Sequence, residues 1–259
     1  MGILNITPDS FSDGGKFFST DIALLHAEQL VEDGAEILDI GAQSTRPNAV
    51  KISAQEEIER LGSLISDIKK QFPQTLISLD TFYSDVVEFG ANEGIDMIND
   101  ISGGQFDSEM FSAVAKTRLP YILMHINAHY STMHEKQIST DITLEENKYF
   151  SAKINELLNL GIYDIVLDPG FGFGKTVEQN HQLLDELGFL NFGQYPVLIG
   201  ISRKSFIYKP AGKSALDIDE ETQKLHLKAL HNGANILRVH DVTSAKRSVE
   251  TYLHQLDKN

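Results

Sequence analysis

Short β-rich apolar runs alternate with longer amphipathic stretches along the whole of this chain, and no other feature narrows its fold as far. The strand candidates are residues 2–5 (GILN), 36–40 (EILDI), 76–80 (LISLD), 96–100 (DMIND), 121–125 (YILMH), 164–168 (DIVLD), 196–200 (PVLIG) and 236–240 (ILRVH). Between them the spacing predicts helices such as 21–34, 54–70, 84–94, 144–161, 176–188 and 221–233, several closing on a glycine that suits a left-handed C-terminal residue. Eight such units in 259 residues, with no linker or composition shift between them, imply an α/β fold: a single (β/α)8 TIM barrel over residues 1–259. An open doubly wound sheet is the competitor. The barrel is favoured by the polar residues that end or directly follow nearly every strand: Asn5, Asp39, Asp80, Asn99 with Asp100, His125, Asp168, Ser202 to Lys204, and Arg238 with His240. In a barrel those ends converge on one mouth, where sites of this fold are built.

Charge narrows the partners. With 22 Lys+Arg against 37 Asp+Glu the net charge is −15, so general binding to nucleic acid or an anionic membrane is not expected, and any phosphate must be caught locally. The 41% hydrophobic content is that of a globular protein, no apolar run is long enough to cross a bilayer, and the first residues lack a basic segment before an apolar one. A cytoplasmic address is the expectation. The absence of cysteine excludes disulfides and thiol catalysis.

Five segments carry chemistry. Residues 5–15 (NITPDSFSDGG) place Phe11 among hydroxyls and carboxylates before a Gly-Gly pair, as a closing lid would, although each residue is also an ordinary loop former. Residues 41–48 offer hydroxyls and Arg46 to an anion. Residues 168–176 (DPGFGFGKT) resemble a phosphate-binding loop but put Pro169 where its first glycine belongs, leaving a glycine-rich turn after Asp168 that a flat ligand could approach. Ser202–Arg203–Lys204–Ser205 and Arg238–Val239–His240 follow or end the last two strands, the usual phosphate site of such a barrel; Arg238 and His240, two apart, share a face. A zinc site at His125, His129 and His134 is disfavoured, since the segment reads as a strand end and a loop and lacks the carboxylate of a zinc hydrolase.

With Asp80, Asn99 and Asp168 lining the barrel and Lys204 beside them, a carboxylate would pair with two adjacent N–H donors and the lysine with a ring carbonyl. That pattern describes a 2-amino-4-oxo-pyrimidine, as in guanine or a pterin. The motifs MGILNITPDSFSDGG, LDIGAQSTRPNA, INDISGG, LMH, DPGFGFGKTVEQN, GISRKSF and ILRVHDV, in that order from residue 1 to about 245, closely resemble the dihydropteroate synthases of folate biosynthesis. These transferases join a dihydropterin methyl diphosphate to p-aminobenzoate. The resemblance implies a TIM barrel, commonly a homodimer, with Mg²⁺ held by Asn5. It implies that Asp80, Asn99, Asp168 and Lys204 clasp the pterin and that Thr45, Arg238 and His240 grip the diphosphate. Phe11, Ser12, Arg46, Pro47, Phe173 and Ser205 would surround p-aminobenzoate, and Asp13 would face the reacting methylene; Asp13, Lys204, Arg238 and His240 would then be the catalytic set.

The chain departs from the family in places. It begins at the methionine of its first strand where relatives usually carry residues before it, so an uncovered barrel edge is expected. Ala42–Gln43 stands where Gly-Glu is usual, Asn48 where Gly is usual, and INAHYST follows His125 where the family tends to show Gly and Pro. Two rivals are a pterin-binding methyltransferase, which would have no use for the lid and the anion pocket, and a non-catalytic paralogue, against which Asn5, Arg46, Lys204 and His240 argue.

Overall fold

The computed structural model describes residues 1–6, 16–45, 49–126, 130–134, 141–190 and 192–258, with the backbone alone for 16–19. Eight strands alternate with helices: β1 (Gly2–Asn5), β2 (Ile37–Gly41), β3 (Leu76–Asp80), β4 (Met97–Asp100), β5 (Tyr121–Met124), β6 (Ile165–Asp168), β7 (Leu198–Ile199) and β8 (Ile236–Leu237). β1 to β6 form one sheet in chain order, every neighbouring pair parallel, and β7 pairs with β8. Two further contacts close the circle. Leu167 bridges to Val197 and donates its N–H to Pro196 O at 2.9 Å, while Gly2 bridges to Val239 and Ile3 N reaches Val239 O at 2.9 Å. The strands therefore make a closed barrel rather than an open doubly wound sheet, and β1, expected to leave an edge uncovered, is paired on both sides.

Side chains alternate across each strand, so one residue points under the helices and the next into the barrel. Leu4, Leu38, Ile40, Ile77, Leu79, Tyr121, Leu123, Leu167 and Ile199 belong to the large outer core. Met97, Ile122, Val166 and Leu198 pack together inside, with Met1, Ile37 and Ile236 against them. This plug fills the N-terminal end of the barrel, and the inward positions one step further along each strand form the floor of the mouth.

The helices are α1 (Lys16–Glu32), α2 (Ala54–Leu61), α3 (Leu64–Gln71), α4 (Ser84–Glu93), α5 (Met110–Thr117), α6 (Ile142–Asn159), α7 (Val177–Asp185), α8 (Ser205–Ala211), α9 (Asp219–His231) and α10 (Val242–Leu256). The single helix expected over 54–70 is two, because Gly62 takes φ of +51° and ends α2 before α3 begins. α7 opens on a capping box in which Thr176 and Gln179 satisfy each other's backbone N–H, so the glycine-rich turn after β6 stops abruptly at a fixed point. Among the described residues no helix is long and apolar enough to cross a membrane.

Candidate active site at the barrel mouth

Strand parity sorts the polar strand ends. Asp39, Asp80, Asn99, Asp168 and Arg238 lie two residues beyond Ile37, Ser78, Met97, Val166 and Ile236, on the inward face, and three of them meet at the eighth strand's arginine or beside it. Arg238 Nε donates to Asp39 Oδ2 at 2.6 Å and its Nη2 to Asp80 Oδ2 at 2.7 Å. Asn99 Nδ2 donates to Asp39 Oδ2 at 3.1 Å, while Asn99 Oδ1 is buried without a partner. Asp168 Oδ1 accepts from Gly170 N at 2.7 Å, which fixes the carboxyl group by its own turn.

Asp100 and His125, counted above among the converging strand ends, face the other way. Asp100 accepts from Tyr121 Oη at 2.6 Å and from the Ser102 and Gly104 amides at 2.7 and 2.8 Å, so it braces the turn after β4. His125 packs against Tyr149 and Phe150 of α6, its Nδ1 3.3 Å from Glu146 Oε1, and burial pushes its pKa well below the usual histidine range. One residue of parity separates the site from the outer core at each of these strands.

The loops complete the mouth. Gly170, at φ of +65°, lies so close to His125 O that a Cβ would come within 2.2 Å of it. The lysine of the abortive phosphate-loop pattern turns inward: Lys175 Nζ is buried and donates to Gly170 O at 2.9 Å, with Glu146 Oε1 at 3.5 Å. It shapes the turn from beneath and does not face a phosphate. Phe173, largely buried, lies with its ring centroid 4.3 Å from Lys204 Nζ and 5.2 Å from the stacked ring of His134. Arg203 takes φ of +60°, a strained conformation for a side-chain-bearing residue, and the turn it makes delivers Lys204 to Phe173 and starts α8 at Ser205. His240 N and Nδ1 lie 3.3 and 3.2 Å from Ser202 Oγ. Arg238 spends its Nε and Nη2 on the two acids of the floor.

Burial sets the protonation of this lattice. Asp80 is pushed up to about 7, against the pull of Arg238, and Asp168 to about 6, while desolvation and Arg238 bring Lys204 down to about 8. Groups poised this near neutrality at a cleft are what a binding or catalytic site collects. Thr45 O accepts from His134 Nε2 at 2.8 Å. Phe11, Ser12, Asp13, Arg46 and Pro47 lie outside the described residues.

A family model described as pterin-binding enzyme matches residues 1–240. The dihydropteroate synthase of Synechocystis sp. is 42% identical over 250 residues, covering 93% of this chain and 84% of that protein. The chain belongs to the dihydropteroate synthases. It is therefore a transferase of folate synthesis. A Clostridium difficile dihydropteroate synthase solved in the presence of pteroic acid superposes with a TM-score of 0.92 at 36% identity, covering 98% of this chain and 95% of that one. The Xanthomonas albilineans synthase with 4-aminobenzoic acid gives 0.91 at 35% identity, covering 99% and 92%.

Asp39, a polar strand end with no site role expected from the sequence, belongs to the floor of the mouth, where it accepts from Arg238 Nε at 2.6 Å. Its signal was parity with Ile37, two residues earlier on β2. His134, which the sequence offers only as a disfavoured zinc ligand, joins two mouth loops. Among the described residues no three His, Cys, Asp or Glu side chains form a metal-holding group.

Proposed function

We propose that this chain, as one catalytic domain over residues 1–259, condenses 6-hydroxymethyl-7,8-dihydropterin diphosphate with p-aminobenzoate to give 7,8-dihydropteroate and diphosphate. The observation that carries the reading is the buried, unpartnered Asn99 Oδ1 beside Asp80 and Asp168. A buried acceptor without a partner costs about 1–3 kcal/mol, and the N–H edge of a pterin would satisfy it.

Asp168, held by the Gly170 amide, presents its other oxygen to the pterin N–H donors, with Asn99 and Asp80 beside it. Lys204 donates to the ring carbonyl. Arg238 uses two N–H groups on Asp39 and Asp80; its other donors, with His240 and Thr45, hold the diphosphate. As the methylene C–O bond breaks, its electron pair leaves with the diphosphate, where the Arg238 guanidinium and the hydrogen-bonding groups of His240 and Thr45 receive the charge. The methylene cation is stabilised by the pterin ring and by Asp13 until the aniline nitrogen attacks and loses a proton. No covalent enzyme intermediate is needed. Phe173 and Ser205, with Phe11, Ser12, Arg46 and Pro47, wall the p-aminobenzoate slot, and closure of the first two loops keeps water from the cation.

The carboxamide of Asn5, at the end of β1 beside Gly41, is a hard neutral oxygen donor of the kind Mg²⁺ accepts alongside water and substrate phosphates. Bound there, Mg²⁺ would neutralise charge on the diphosphate.

The test is diphosphate release by the purified chain with the pterin substrate and Mg²⁺, with and without p-aminobenzoate, and detection of dihydropteroate by mass. Pterin binding without either product would sink the reading in favour of a non-catalytic paralogue. Lys204→Ala should weaken binding of the pterin diphosphate by about 1–3 kcal/mol, the loss of a charged hydrogen bond, when titrated calorimetrically; unchanged affinity removes Lys204 from the clasp. The same reading takes the enzyme to be a cytoplasmic homodimer. Sedimentation equilibrium should then give twice the 28.8 kDa chain mass, and a monomer would refute it.

A further inference from the structure

Residues 130–134, which follow β5, are built into the mouth. Tyr130 Oη donates to Ser44 O at 3.0 Å and accepts from Gln43 Nε2 at 2.9 Å. Gln43, almost wholly buried, also donates to Ser44 O at 2.6 Å and accepts from Ile52 N at 2.8 Å. Its amide thus ties the two ends of the second loop together, and the phenol ties that loop to the segment after β5. Lys51 Nζ sits 4.9 Å from the Phe82 ring centroid, 5.0 Å from Tyr83 and 5.9 Å from Phe106 and from Tyr130, a cation held by aromatic faces at the far end of the same loop.

His134 is the tip of this construction. A carbonyl only accepts, so the 2.8 Å contact places the proton on Nε2, which donates to Thr45 O, the residue that leads into Arg46. The same ring lies on Phe173 at 5.2 Å and 23°, so one imidazole holds the second loop by a hydrogen bond and the sixth by a stack. We propose that His134, backed by Tyr130 and Gln43, is a positioning residue that sets the separation of the Thr45 and Phe173 loops and thereby the width of the p-aminobenzoate slot. This rests on the assignment of Phe173 to that slot.

The two functions of the ring are separable. His134→Phe keeps an aromatic stack and loses the N–H; His134→Gln keeps a donor and loses the stack. Steady-state kinetics in both substrates, calorimetric affinity for the pterin diphosphate, and thermal melting should be measured for each, with Phe173→Ala as the reference. The expected result for His134→Phe is a KM for p-aminobenzoate raised roughly 3- to 10-fold, as for one lost hydrogen bond, with pterin affinity unchanged. His134→Gln should recover part of that increase. If Phe173→Ala raises the KM and neither His134 variant does, the positioning role is refuted and the slot survives. If pterin affinity and melting temperature fall as the KM rises, His134 is a structural support only and the proposal is also refuted. If Phe173→Ala itself leaves the KM unchanged, the slot assignment fails and takes the proposal with it.

Discussion

Arg238→Met is expected to destabilise the fold by about 3–5 kcal/mol at neutral pH, because it removes one partner of a buried ionic group and leaves the others uncompensated. Arg238 bonds Asp39, which is wholly buried, and Asp80 at the same time, so its loss strands two carboxylates at 2.6 and 2.7 Å from where the guanidinium was. The deficit has a predicted pH dependence. Asp80 stands at about 7 even with Arg238 pulling it down, so without that pull the folded variant protonates it at still higher pH. The unfolded chain takes up that proton only near the ordinary aspartate value of about 4. A carboxyl whose folded pKa is raised contributes stability that is complete below the unfolded value and is lost as pH climbs through the folded one. Below about pH 7 both folded proteins hold that proton, so the Asp80 part of the variant's deficit should stay constant from pH 5 to about 7 and grow from there toward pH 8. Urea unfolding of both proteins at about pH 5, 7 and 8 checks this, and a deficit independent of pH would show that the arginine acts by packing alone. A second substitution, Asp39→Asn, should restore part of the stability at pH 8 by removing one stranded charge.

Asp168→Asn is expected to leave the fold intact and to abolish most of the pterin chemistry. The asparagine oxygen can still accept from Gly170 N, the contact now made at 2.7 Å, which turns the new NH2 group toward the space assigned to the pterin N–H donors. Donors then face donors. Two hydrogen bonds to a charged acceptor are lost at about 1.5–3 kcal/mol each, so kcat/KM for the pterin substrate should fall by roughly 10² to 10⁴. Two controls separate this from unfolding. The parent's kcat/KM should decline on the acid side as Asp168, at about 6, is protonated, and the variant should lose that limb. Because the folded pKa of Asp168 is raised, its charge weakens the fold as pH rises through about 6, so the variant's melting temperature at pH 8 should equal or exceed the parent's. A variant that melts far below the parent, or that retains full pterin turnover, would contradict this account.

How much of this was legible in the chain depends on what kind of physics each feature rests on. β1 and β3 fall where the apolar runs put them, and the others within a few residues, because alternation is a local signal. β7 and β8 are shorter than the runs 196–200 and 236–240, since the residues past Ile199 and Leu237 turn into the mouth, where Arg238 N still reaches Ile199 O at 2.9 Å. Asp80, Asn99, Asp168 and Lys204 were legible as chemistry at strand ends, and the structure brings them to one mouth. Asp100 and His125 carried the same local signal and belong to the outer core, because a single residue of register decides which face a side chain takes. Asp39 was visible as a polar strand end, but nothing in EILDI says that an arginine two hundred positions away will rest on it.

The sequence by itself determined the barrel's periodicity, the polar residues at the strand ends and the family motifs, all of which are written in spacings of a few residues. Only the tertiary structure decided that Arg238 is bound to Asp39 and Asp80, that Lys175 supports its loop from below, and that His134 links the Thr45 and Phe173 loops. Each of these joins groups held by different strands or loops. Their energies depend on burial and on distances near 3 Å, and those exist only after closure of the barrel has brought its first and last strands side by side.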